Sequence, residues 1–172
     1  MNERARWLHA VVRERGEALY ARALLLTGDD AAAGDLVGLA LTNGLGRGHR
    51  PESDEDAQAM VREALHRAFR RMRGEEPALV AGERAAGEPD IREALRLLTR
   101  RERVAIVLRY VDGLSASAIA RQVGAPVRAV RADLASGAGR LAAARPDLRI
   151  DVDDAVEGGI EEAFSITMDG AR

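Results

Sequence analysis

The chain has 172 residues, a net charge of −2, 47% hydrophobic residues and only 3% aromatic residues, which allows one domain or two small ones with a core of mostly Ala, Leu and Val. It has no Cys and no Lys among its 26 basic residues, so disulfides, thiolate metal sites and lysine-bearing phosphate loops are excluded. No apolar run approaches the ~20 residues of a membrane span and the N-terminus lacks an apolar signal core, so a soluble cytoplasmic protein is expected.

Helix formers dominate, and aromatic or β-branched strand runs are scarce, so the expected fold is all-α. Residues 5–26 carry the first helical spacing, with Trp7, Leu8, Val11, Val12, Leu19, Leu24 and Leu25 able to form one stripe. Thr27-Gly28-Asp29-Asp30 reads as a C-cap glycine followed by a new N-cap. A second helix is expected over residues 30–41, then a glycine-rich loop over 43–53. A third helix is expected over 54–73, with Met60, Val61, Leu65 and Phe69 on its buried side.

Residues 74–90, GEEPALVAGERAAGEPD, hold two Pro and three Gly and read as a flexible linker between two small helical domains, 1–73 and 91–145. In the second, Thr99 and Glu102 have the spacing of a capping box, and the helix they start ends near Asp112-Gly113. The stretch LSASAIARQVGAPVRAVRADL follows, from Leu114 to Leu134. Ser115 suits an N-cap, Gly124 a left-handed turn, and Pro126 the first turn of the next helix. With Ala120 where two helices touch and Val130 buried, this is the helix-turn-helix pattern.

At 100° per residue, Val127, Val130 and Leu134 cluster on one side of the second helix of that pair. Arg128, Arg131, Ala132 and Ala135 fall on another. Two arginines among small residues permit close approach to a major groove, where Arg bonds guanine or phosphate. The plainer reading is a solvated arginine face on a packed helix.

Charge is uneven. Residues 91–145 hold 11 Arg against 4 acids, a net of +7, whereas residues 146–172 hold 2 Arg against 8 acids, a net of −6. Such an acidic tail is suited either to solvation or to folding back on the basic segment and blocking DNA. Its Asp151, Asp153 and Asp154 lack calcium-loop spacing. His9, His49 and His66 lack ligand spacing and are expected at the surface. Ser115 and Ser117 have no His nearby. Gly44 to Gly48 follows a helix rather than a strand, against a dinucleotide loop. No catalytic constellation, metal or cofactor is expected.

Residues 91–141, with LLTRRERVAIVLRYVDGLSASAIARQVGAPVRAVRADLASGAGRL, resemble the C-terminal domain of extracytoplasmic-function sigma factors of bacterial RNA polymerase. LYARALLLTGDDAAAGDLV resembles the opening of that family's first domain, and AMVREALHRAFRRMRG its promoter-melting helix. The resemblance covers roughly residues 15–141. It implies core RNA polymerase and promoter DNA as partners, with an anti-sigma or other regulatory protein as a further one. It assigns Asp35, Leu36 and Val37 to the polymerase clamp. Arg62, Arg67, Arg70, Arg71 and Arg73 would lie near melted DNA, and Arg128 and Arg131 on the −35 reading helix; Arg121 is expected to bind DNA as well.

The chain departs from the family at several positions. Gly38 and Leu39 replace a Gln and an acid. Phe69 is the single aromatic near the melting helix. Asp133 would repel phosphates, and Gly137 and Gly139 are expected to loosen the end of the reading helix. These departures keep two other readings open: a degenerate sigma-like protein-interaction module, and a helix-turn-helix regulator that never touches polymerase.

Overall fold

A computed structural model describes residues 3–46, 51–72 and 90–157. The chain divides into two units, residues 1–80 and 81–172. Both are helical, and no strand occurs among the described residues. The expected linker up to residue 89, together with Arg73 and His49, lies outside the described residues.

The first unit is a three-helix bundle of α1 (Glu3–Thr27), α2 (Asp30–Gly44) and α3 (Asp54–Arg71), each packed on the other two. Its boundaries follow local chemistry. Gly28, at φ 71°, ends α1 by donating to the Leu24 carbonyl at 2.7 Å. Asp29 caps α2 by accepting from the Ala32 N–H at 2.8 Å. Ser53 caps α3, whose first turn holds Asp54, Glu55 and Asp56 and whose last holds Arg70 and Arg71. Each charge set opposes the helix dipole at its own end.

The core joins Val11, Leu19, Ala23 and Leu26 of α1 to Ala33, Leu36 and Ala40 of α2 and to Val61, Leu65 and Phe69 of α3. The expected α1 stripe is only partly right. Leu8 and Val12 are 40% and 49% exposed, while Ala23 and Leu26 are buried in full. The shorter neighbours cover only one face of this 25-residue helix, and that face admits alanine as readily as leucine. Gly44 belongs to the end of α2 rather than to a loop. A Cβ there would lie 2.8 Å from the Val61 Cα, so the glycine lets α2 press against the α3 backbone.

His66 is a correction: it is 2% exposed, not a surface residue. It sits beside Leu65 on the α3 face that points into the bundle. Burial, with the Arg22 and Arg62 charges, pushes its pKa down to about 3.

The second unit runs α4 (Ile91–Arg96), α5 (Arg100–Tyr110), α6 (Ala116–Val123), α7 (Val127–Ala144), a 3-10 turn (Pro146–Leu148) and α8 (Val152–Glu157). Residues 102–109 of α5 are all buried, with α6 and α7 packed against it. The capping box forms as expected: Glu102 N–H donates to Thr99 Oγ1 at 3.3 Å, and Thr99 N–H to Glu102 Oε2 at 2.8 Å. Arg103 donates to the Arg96 and Leu98 carbonyls at 3.2 and 3.1 Å, satisfying the end of α4. Burial and its neighbours Arg96 and Arg100 lower its pKa to about 10, which still leaves it protonated at neutral pH.

The acidic segment after Pro146 is not simply solvated. α8 packs on α7, and Ala155 is fully buried. Arg109 bridges the Leu114 carbonyl at 3.3 Å and the Asp154 carbonyl at 2.9 Å, tying α8 to the turn that leads into α6. Residues 158–172 lie outside the described residues.

His66 sets a pH dependence. Its folded pKa lies below the unfolded value of 6.5, so the folded state holds it neutral while the unfolded chain takes up a proton. Its contribution is complete above pH 6.5 and is lost as pH falls toward about 3, at ~1.4 kcal/mol per pH unit. Urea titrations at pH 6.5 and 4.5 should show the first unit of the wild type losing roughly 2–3 kcal/mol more than that of His66→Gln. Equal losses would contradict the assignment.

Candidate nucleic-acid interface

The corner between α6 and α7 is built from short-range chemistry. Ser115 Oγ accepts from the Ala118 N–H at 3.2 Å and starts α6. Gly124 ends it at φ 64°, ψ 42°, the left-handed conformation that costs a residue with a Cβ. Ala125 N–H closes the turn on the Ala120 carbonyl at 3.0 Å. Pro126 stands one position earlier than expected, as the residue preceding α7, where its carbonyl accepts from Ala129 and Val130. Ile119 and Ala120 of α6 meet Val130 and Leu134 of α7 in the core, each at 4% exposure or less.

The outer face of α7 follows from that core. Arg128, Arg131 and Ala132 are exposed, and Ala135 is half-buried beside them. Arg121 projects from the last turn of α6 and is exposed as well. Among the described residues, none of these three arginines makes an ion pair or a side-chain hydrogen bond. Asp133 is half-buried on the flank. Val127, expected on the apolar side, is 36% exposed.

The glycines of α7 divide into two kinds. The helix runs unbroken through both to Ala144, so the expected loosening is absent. A Cβ on Gly137 would lie 3.0 Å from Ile106 Cγ1 and 3.3 Å from Glu102 Cβ, so this glycine lets α5 and α7 approach. Gly139 is exposed, with nothing within 4 Å of a Cβ.

Beside Gly137 lies a polar contact that sequence reading missed. Glu102, 5% exposed, accepts from Ser136 Oγ at 2.5 Å and lies 3.4 Å from Arg140 Nη1. Burial pushes its carboxyl up, but the Ser136 hydroxyl, the Thr99 hydrogen bonds and Arg140 outweigh that and hold it below the ordinary glutamate range. Ser136 is 34 residues from Glu102, and no local spacing signals the pair.

In the first unit, Arg62, Arg67, Arg70 and Arg71 are all exposed on α3. Arg67 pairs with Glu63 at 2.9 Å, a solvent-facing contact of little energetic weight. Asp35 is exposed and Val37 half-buried, but Leu36 is buried in full. Leu36 therefore holds α2 in the bundle, which corrects its expected place on a contact surface. Phe69 is also buried, so α3 presents no aromatic ring outward. Among the described residues no cluster of His, Asp or Glu could hold a metal, and no helix is long and apolar enough to cross a membrane.

The second unit is thus a helix-turn-helix domain with an arginine-bearing outer face. Residues 89–140, a little under a third of the chain, match the family model described as Sigma-70, region 4, so this domain is similar to that DNA-binding domain of sigma factors. The comparison with curated proteins returned no match.

The two glycines should respond oppositely to alanine. Gly139→Ala should stabilise the second unit by roughly 0.5–1 kcal/mol through helix propensity. Gly137→Ala should destabilise it by about 1–3 kcal/mol, because Ile106 is buried and Glu102 is held by its cap. Chemical denaturation measures both, and the same sign for the pair would contradict the close approach.

Proposed function

We propose that the chain is a sigma-factor-like protein that joins core RNA polymerase and directs it to promoter DNA. The observation that carries this reading is the pair Arg128 and Arg131, exposed and unengaged on the second helix of a domain similar to sigma-70 region 4. In this reading α7 enters the major groove of the upstream element. The two arginines bond guanine edges or phosphates, and the small side chains around them let the helix sit deep. Arg121 adds a phosphate contact from α6. The chain contributes no chemistry of its own; polymerase supplies it.

The first unit has the parts for a matching role. Asp35 and Val37 flank the buried Leu36 on α2, and in this reading they contact polymerase. Arg62, Arg67, Arg70 and Arg71 give α3 a basic exposed surface suited to the backbone of an opened strand, and Arg73, outside the described residues, is assigned to the same role by the resemblance. An anti-sigma or other regulatory protein is a further partner in this reading.

The burial of Phe69 favours a second reading for this unit: docking without melting. A ring stacked on a flipped base is worth about 1–3 kcal/mol, and α3 offers none.

Two measurements test the proposal. A duplex selected by the full chain from a pool with randomised centres serves as probe. Arg128→Ala with Arg131→Ala should weaken its binding by roughly tenfold to a hundredfold, and flatten the dependence of log K on log salt by up to ~2. Unchanged affinity and slope would overturn groove docking. Transcription with purified core polymerase, on duplex and on pre-opened templates, tests the rest. Initiation on both supports the full reading, initiation only on the pre-opened template supports docking without melting, and none on either overturns the polymerase role.

A further inference from the structure

Glu102 uses its two carboxylate oxygens for different purposes. Oε2 accepts from the Thr99 N–H at 2.8 Å, and that bond completes the capping box of α5. The cap needs nothing more. Yet Oε1 accepts from Ser136 on α7, and Arg140, one turn further along the same helix, closes on Oε2 at 3.4 Å. A single buried carboxylate therefore grips α7 at two points spaced i, i+4, which lie on one face of a helix. Gly137 sits between those points, where the helices come closest.

The rest of the α5–α7 contact is apolar. Val130, Leu134, Ala138 and Leu141 form the buried stripe of α7. Apolar packing is non-directional and tolerates a small turn of the helix about its axis. A charge-assisted hydrogen bond from Ser136 and an ion pair with Arg140, both on one face, do not. We propose that Glu102 is a positioning residue for the reading helix, its buried carboxylate fixing the rotation of α7 and so aiming Arg128 and Arg131.

The lever is short. At 1.5 Å per residue, Ser136 stands ~7.5 Å along the axis from Arg131 and ~12 Å from Arg128. The intervening helix is continuous, so a rotation at Ser136 is delivered to both arginines. A turn of ~20° moves a side-chain tip ~6 Å from the axis by ~2 Å. Recognition geometry tolerates only about 0.5 Å, so such a turn would cost base discrimination while leaving the charges beside the phosphates. This inference rests on the DNA reading above.

The test leaves the cap of α5 intact by changing only the α7 side, in the full chain. Ser136→Ala with Arg140→Gln removes both grips; Ser136→Thr keeps the hydroxyl. Residual dipolar couplings of the amides of α5 and α7 report the orientation of one helix against the other. In the double variant the α7 couplings should no longer fit the wild-type orientation, and Ser136→Thr should fit it. Preference for the selected duplex over a scrambled duplex of equal length should fall roughly tenfold, with little change in the salt slope. Wild-type orientation in the double variant overturns the clamp. A reoriented helix with undiminished preference overturns the aiming. A wild type that shows no preference between duplexes overturns the DNA reading itself, and the couplings still decide whether the carboxylate sets the orientation of α7.

Discussion

The second unit is organised around a helix with almost no outside. Eight consecutive residues of α5, from Glu102 to Arg109, are buried, and three of them carry charge. An ionised group taken out of water is costly unless it is paired or hydrogen-bonded. Each of the three is accordingly turned into a tie. Glu102 joins the start of α5 to α7, Arg103 closes the end of α4, and Arg109 joins the α5–α6 turn to α8. Removing one partner of such a tie strands the other in the interior. The charges inside α5 thus set where its neighbours stand.

That arrangement also sorts the arginines. The net of +7 over residues 91–145 suggests a uniformly cationic domain. In the fold, Arg92 pairs with Asp90, Arg145 with Asp147, and Arg140 lies against Glu102, while Arg103 and Arg109 serve backbone carbonyls. Arg121, Arg128 and Arg131 face solvent on the two helices of the corner. Arg96 and Arg101 also face solvent, on α4 and the first turn of α5, so the outward charge lies at that end as well as at the corner. The acidic segment spends part of itself on structure: Asp151 caps α8 through the N–H groups of Asp153 and Asp154, and Asp154 gives its carbonyl to Arg109.

What was legible in the sequence was local. The Thr99–Glu102 box, the Ser115 cap, the Gly124 corner and the Gly28 stop each depend on residues within one turn, and each stands where the spacing puts it. The arginine face of α7 was legible for the same reason, as a matter of helical period. What was not legible depends on the partner. Gly137 reads as a helix weakener until Ile106 is seen against it, and nothing local shows that the exposed Ser136 bonds Glu102, 34 residues away. Leu8 and Val12 lie outside the buried stripe because α2 and α3 cover one side of α1. Leu36 was assigned by resemblance, which carries a motif's position but not its orientation. α8 was hidden by composition: its acids advertise solvent, and the burial rests on Ala155.

The central claim is that the outer face of the α6–α7 corner is the surface that meets nucleic acid. Amide chemical-shift mapping of the full chain against the selected duplex tests it most directly. Within the second unit, the largest changes should fall on Arg121, Arg128, Arg131 and Ala132, with α4 and α8 little moved. Changes centred on α4 or α8, with Arg128 and Arg131 silent, would contradict it.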